Sequence, residues 1–158
     1  MRKILLVALI CLLGASLIGC DNMFGSDEGI SIGDPAPEER SGYEGAQMKY
    51  ISSTNTSLTV FMENTTDSTW QSGNMRDYHL EVERDGAWYE VEDKAEIPNT
   101  MELMLFAPGN TLTHTFDFSE RYGKLDSGKY RVVKAWWANA TESTPAGEFY
   151  LMCEFTVA

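Results

Sequence analysis

From Gln47 to Ala158 the chain keeps returning to one pattern: short runs rich in Thr, Val, Tyr, Phe and Trp, cut by clusters of Asn, Asp, Gly and Pro. Successive side chains on a strand point to opposite faces, so alternation of apolar and polar residues marks a half-buried strand. Ser57–Glu63 puts Leu58, Val60 and Met62 on one face. Asp77–Arg84 puts Tyr78, Leu80 and Val82 on one face and His79, Glu81 and Glu83 on the other. Thr111–Phe118 aligns Leu112, His114, Phe116 and Phe118, and Glu148–Val157 aligns Phe149, Leu151, Cys153, Phe155 and Val157. Met48–Ser52, Ala87–Glu92 and Lys129–Ala138 complete about seven strands, with one helical turn expected over Ser119–Gly123. No segment of the domain carries an apolar period of 3.6, so helices are not expected. Seven short strands in some 112 residues predict an all-β fold, a two-sheet antiparallel sandwich.

Several motifs sharpen this. Leu125-Asp126-Ser127-Gly128-Lys129-Tyr130 resembles the tyrosine corner of immunoglobulin-like sandwiches. Asp85-Gly86-Ala87-Trp88-Tyr89, Ala107-Pro108-Gly109, Phe116-Asp117-Phe118, Tyr122-Gly123-Lys124-Leu125, Gly128-Lys129-Tyr130-Arg131-Val132-Val133-Lys134 and Glu148-Phe149-Tyr150-Leu151 with Glu154-Phe155 follow in that order. Together they resemble the bacterial Ig-like domain of envelope lipoproteins and membrane-anchored proteins in low-GC Gram-positive bacteria. The resemblance covers residues 47–158 and implies the immunoglobulin-like fold. It brings no catalytic residues. Phe118 departs from it where a Trp follows the Phe-Asp pair, and the Ala138–Ala146 loop is individual.

The first residues read as an address. Arg2 and Lys3 precede Ile4–Ile18, fifteen residues without a charge. At 1.5 Å per residue they span roughly 22 Å, short of a ~30 Å hydrocarbon core, which fits a signal-peptide core and not a membrane span. Leu17-Ile18-Gly19-Cys20 then resembles a lipobox. That resemblance implies a signal peptide over 1–19, cleavage before Cys20 and diacylglycerol and acyl groups (palmitate among them) on Cys20. Acyl chains in that number hold a protein durably on a membrane, on its extracytoplasmic face. Residues 20–46 are dominated by Gly, Pro, Ser and acids, seven acids against Arg40 alone between Asp21 and Gly45. They predict a disordered, flexible linker ahead of the domain.

Charge and composition narrow the function. Twelve Lys and Arg against 24 Asp and Glu give a net charge of −12. That argues against nucleic acid or an anionic membrane surface as partner, because both reward Lys and Arg. No phosphate loop, metal-binding His-Glu-x-x-His or Gly-x-Ser-x-Gly occurs, and no cofactor or metal is expected beyond the lipid on Cys20. With Cys11 removed and Cys20 acylated, Cys153 is the one remaining thiol and reads as a buried small hydrophobe. His114 reads as a core or rim histidine.

Two features are candidate sites. Trp136 and Trp137 must point to opposite faces of their strand, one into the core; the other, with Tyr150, is a candidate binding surface for a protein or for sugar rings. A two-residue loop at Asp85-Gly86 would set Glu81 opposite Glu90, His79 opposite Glu92 and Glu83 opposite Trp88. A three-residue loop with a glycine bulge would turn Trp88 inward instead. In the first register His79, Glu81, Glu83, Glu90 and Glu92 form either a solvated edge or a weak cation site. The chain is thus expected to be a non-catalytic, lipid-anchored binding or structural module that engages another envelope protein. A cell-wall glycan module using the tryptophans and a loop-presenting protease inhibitor are the alternatives.

Overall fold

The computed structural model describes residues 29–96, 102–142 and 145–158. The signal segment, Cys20 and the start of the linker lie outside them. Ten strands form two antiparallel sheets: β1 (Ile32–Pro35), β2 (Ala46–Ser53), β3 (Ser57–Asn64), β4 (Trp70–Ser72), β5 (His79–Arg84), β6 (Ala87–Val91), β7 (Met104–Phe106), β8 (Thr111–Asp117), β9 (Gly128–Ala138) and β10 (Gly147–Val157). The smaller sheet runs β2-β3-β8, and the larger one β1-β6-β5-β9-β4-β7 with β10 on β9. β10 pairs with β9 along its whole length, Val157 to Gly128 and Gly147 to Ala138. On the other edge of β9, β5 takes residues 130–133 and β4 takes 137–138.

All seven expected strands are present within a residue or two. Three more are found. β4 and β7 are three residues each, too short for alternation to register. β1 lies in the stretch expected to be flexible linker, and there the structure differs most from the sequence reading. Ile32 pairs with Val91 and Pro35 with Tyr89, so the chain is part of the domain from Gly29 onward. After β1, residues 36–42 cross the outer face of the larger sheet as a strap. Ala36 N–H donates to Trp88 O, and Tyr150 N–H donates to Ser41 O at 2.9 Å. The strap then turns round β10, and Tyr43 stacks on Phe149 with ring centroids 4.8 Å apart. The composition of this stretch is polar because the strap is solvated on one side; its apolar and charged anchors are too sparse to show a period.

The sandwich core follows the expected stripes. Leu58, Val60, Met62, Leu80, Val82, Phe149 and Leu151 are all buried. Ser119–Gly123 is a single turn in which Tyr122 and Gly123 both donate their N–H to Phe118 O. Asn64 is buried with its side chain fully used: Nδ2 donates to Ser68 O and Phe106 O, and Oδ1 accepts from Thr66 N and Oγ1. It ties the turn after β3 to β7.

The tyrosine corner is present. Tyr130 is fully buried and its hydroxyl donates to Asp126 O at 2.9 Å. Tyr130→Phe removes that bond and leaves the carbonyl without it. It is expected to cost about 1 kcal/mol, read as a shift of the urea midpoint with an unchanged slope.

One core-facing position breaks the pattern. Lys134 points inward from β9, fully buried, and its Nζ donates to Asn74 O and Asp77 O at 2.9 Å each. It pins the loop that separates β4 from β5. Burial pushes this ammonium down to about 8, whereas an unfolded lysine titrates near ~10.4. The folded state therefore holds its proton less tightly than the unfolded state. The cost of burying the charge is present in full below pH 8 and relaxes as pH rises above it. Cys153, pushed from 9.0 up to about 11 by burial, works the other way above pH 9, since the unfolded thiol ionises first. Stability should thus rise between pH 8 and 9, and Lys134→Met should flatten that rise. A flat wild-type profile in denaturant titrations at the two pH values would contradict the assignment.

Candidate interaction surface

The hairpin takes the two-residue form. Asp85 and Gly86 both have positive φ, 53° and 82°, the requirement of a type I′ turn. Glu81 then faces Glu90, and Glu83 faces Trp88. Two carboxylates directly opposite repel, and the structure relieves this with arginine. Arg40, carried in by the strap, sets Nη1 against Glu81 Oε1 and Nη2 3.4 Å from Glu90 Oε1. From β9, Arg131 Nε donates to Glu81 Oε2 at 2.5 Å. Glu81 is completely buried between the two guanidinium groups.

The other members of the proposed cation site are used elsewhere. Glu83 accepts the Gly86 N–H at 2.5 Å, Glu92 accepts the Ser31 hydroxyl, and His79 is exposed. Among the described residues no group of three or more His, Cys, Asp or Glu is arranged to hold a metal ion. Arg40 and Arg131 stand where a cation was envisaged. Sequence reading missed them because Arg40 is 41 positions from Glu81 in a segment that carries no pattern.

The tryptophan pair divides as strand geometry demands. Trp136 is 2% exposed and packs among Trp70 and Phe106, so it leaves the candidate surface. Trp137 is 46% exposed on the outer face of the larger sheet. Tyr150, on the same face, is half-buried; Arg40 lies 5.5 Å over its ring and its hydroxyl donates to Glu148 at 2.8 Å. That hydrogen bond, with burial second, raises the Tyr150 hydroxyl above its ordinary range.

Register places Trp137 in a row across four strands. Leu105 of β7 faces Gln71 of β4, Gln71 faces Trp137, and Trp137 faces Glu148 of β10. Leu105 is 59% exposed and Leu103, just before β7, is 66% exposed. Leu103, Leu105 and Trp137 are three of the six exposed large apolar side chains among the described residues, and they share one end of one face. Such clustering is the signature of a contact surface, whereas single exposed apolar residues are ordinary. The signal for Leu103 and Leu105 was present in Leu103-Met104-Leu105-Phe106, where Met104 and Phe106 turn inward and the leucines outward.

Among the described residues, two wider and shallower depressions lie beside Tyr43 and Thr66 and beside His79 and Glu92, and a third site is more enclosed. A cleft of about 200 Å³ opens between β8 and the turns at Met75 and Ser119, lined by Tyr78, His114 and Arg121 among others. Both of its arginines are committed: Arg121 bonds Tyr78 O and Asp93 and lies 5.1 Å over the Tyr122 ring, and Arg76 pairs with Glu120. His114 meets Phe116 edge-on at 4.8 Å. Burial first and Lys134 second hold its imidazolium below the usual range. The buried thiol of Cys153 is held protonated. These groups suit packing and binding; none is a nucleophile beside a base.

Comparison with known proteins agrees with this architecture. A family model described as a bacterial Ig-like domain matches residues 45–150. A comparison with curated proteins finds no match. Among the described residues no helix is long and apolar enough to cross a membrane.

Proposed function

The chain belongs to the bacterial Ig-like domain family, and on that footing we propose that it is a lipid-anchored, non-catalytic binding module on the extracytoplasmic face of the cell membrane. Its partner is another protein of the envelope, met through Trp137, Leu105 and Leu103. The signal segment 1–19 is removed and Cys20 carries the lipid, with a short linker leading to the domain. The observation that carries the reading is the apolar row at one end of an otherwise charged face. Tryptophan is among the residues that most often carry the energy of a protein interface, and the exposed leucines beside it extend the apolar surface.

The test has two arms. Cys20→Ala should move the protein from the membrane fraction to the soluble fraction. Leu105→Asp, in a short edge strand where the side chain is solvent-exposed, should leave the melting temperature within a few degrees and reduce cross-linking to the partner protein in the native cell at least fivefold. Retention of full cross-linking by Leu105→Asp would sink the assignment of the surface. A second reading has one observation of its own: Gln71 and Glu148 flank Trp137 on both neighbouring strands, an arrangement that suits a sugar ring stacked on the indole. Binding of purified cell-wall polysaccharide that Trp137→Ala abolishes would favour it over a protein partner.

A further inference from the structure

An unpaired strand edge is a row of free N–H and C=O groups, and folded proteins blunt such edges. Most edge strands of this sandwich carry a blunting device. β1 has four residues, ends on Pro35 and breaks register against β6, and β7 has three residues. β2 carries Lys49 and a register break between Tyr50 and Ser52. β10 is overlaid by the strap, whose Ser41 O takes the Tyr150 N–H. β8 is the exception among the described residues. Its seven residues run in unbroken register against β3 and include no Lys, Arg or Pro.

The ladder shows which groups of β8 are open. Phe118 N–H donates to Thr56 O at 2.7 Å, and Asn64 N–H donates to Asn110 O at 3.0 Å. These bonds bracket the pairs Leu58–Phe116, Val60–His114 and Met62–Leu112. Hydrogen-bonded pairs alternate along an antiparallel ladder. Leu112, His114 and Phe116 therefore bond β3, while Thr111, Thr113, Thr115 and Asp117 turn their N–H and C=O to the open side. There the Asp117 carbonyl accepts the Tyr78 hydroxyl at 2.9 Å. Among the described residues no other strand pairs with the three threonines on that side. Leu112 and His114 face inward yet stay only half-buried, because the sheet ends beside them.

We infer that β8 pairs with β8 of a second copy of this chain, antiparallel about a two-fold axis at His114, so that the two three-stranded sheets become one continuous sheet. The edge is self-complementary in that register. Thr113 faces the partner's Thr115, Leu112 faces the partner's Phe116, and Thr111 faces the partner's Asp117. Threonine opposite threonine and apolar opposite apolar are favourable cross-strand pairs. Like charges do not meet. The two Asp117 carboxylates lie at opposite ends of the paired strands, roughly 20 Å apart at strand rise. The turn that each Asp117 end approaches, Ala107–Asn110, holds no charge. Arg76 and Glu120 near that end already pair with each other. His114 brings no charge to the axis at neutral pH, since burial holds its imidazolium below the usual range. A two-fold contact of one patch with itself closes at two copies. It also leaves the Trp137 surface, on the outer face of the other sheet, free for its own partner, and it does not depend on the lipid at Cys20.

The pairing is tested on the full chain in its native cell, oxidised in place with copper–phenanthroline and read as dimer on a non-reducing gel. His114→Cys puts two thiols on the axis, where facing Cα atoms are about 4.5 Å apart, within disulfide range. It is expected to give at least fivefold more reducible dimer than the parent chain, whose Cys153 is buried. Thr113→Cys, exposed but facing the partner's Thr115, should stay at the parent level. Adding Thr113→Pro to His114→Cys should return the dimer to the parent level and leave the melting temperature within a few degrees, because proline is tolerated where a strand N–H faces solvent. Thr113→Lys with Thr115→Lys, both exposed, should act in the same way and serves if the proline variant does not fold. Absence of extra dimer from His114→Cys would overturn the pairing. So would an equal dimer from Thr113→Cys, or a folded edge variant that still dimerises. A reducible product at a mass other than twice the chain's would overturn it in favour of a foreign strand on β8. Leu105→Asp should leave the dimer unchanged, so the Trp137 surface and the β8 edge stand or fall separately.

Discussion

Arg40→Ala is expected to destabilise the domain by about 3–5 kcal/mol, the range found when one partner of a buried ion pair is removed. In a domain of this size that lowers the melting temperature by roughly 10–20 °C. The reason is what remains. Glu81 stays fully buried and loses one of its two arginines, and Glu90 opposite it loses its partner on the strap. The strap also loses the side chain that holds it over Tyr150. Truncation at residue 45, the start of the family match, should therefore cost at least as much as the single substitution, since it also strips β1 from β6 and Tyr43 from Phe149. Thermal unfolding of the two variants checks both statements. A control separates charge from packing: replacing Arg40, Glu81 and Arg131 together with apolar residues of similar volume should restore much of the loss, because no buried charge is left without a partner and Glu90 can turn to solvent. If Arg40→Ala melts within 3 °C of the parent, the strap is not part of the folding unit.

Trp136→Ala is expected to cost about 3–5 kcal/mol, the range for an aromatic ring deleted from a packed core. Its neighbour Trp137→Ala is expected to fall within about 0.5 kcal/mol of the parent. Trp136 is enclosed by Trp70 at 6.2 Å and Phe106 at 5.8 Å between ring centroids, with Lys134 Nζ 5.6 Å over its ring. No partner atoms can collapse into the space it leaves, because β4, β7 and β9 are hydrogen-bonded around it. Trp136→Phe should cost much less than Trp136→Ala. Most of the ring contact survives, and the indole Nε1, buried without a hydrogen-bond partner, is removed; shedding an unsatisfied donor offsets part of the lost area. Urea titrations of the four proteins read the order directly. Equal costs for Trp136→Ala and Trp137→Ala would mean that the assignment of faces along β9 is wrong.

Both expectations mark the same division between sequence and structure. The alternation of Leu58, Val60 and Met62, or of Phe149 through Val157, is a local property: period two on a pleated strand puts those atoms on one side whatever the partner strand. So the all-β class, seven of the strands, the tyrosine corner and the apolar stripes were legible from residue order alone. Asp85-Gly86 offered two turns, and the same two residues fit either. The choice between them fell to the strands they join, where Arg40 makes the Glu81–Glu90 register tolerable.

What the order of residues could not determine is what lies across a sheet or on top of it. Trp136 and Trp137 were known to face opposite ways, but the core side is set by β3, β8 and the Trp70–Phe106 cluster, which are remote in sequence. Arg40 reads as a lone cation in an acidic linker, yet its guanidinium is buried on two carboxylates from strands far along the chain. Net charge is additive and is read at once from the residues; which of those charges meet, as Arg40 meets Glu81, depends on the packing of the strands. Short-range patterns are dictated by the geometry of a single strand. Burial, ion pairing and the exposed Leu103–Leu105–Trp137 surface are properties of contacts between strands, and those exist only once the sandwich has closed.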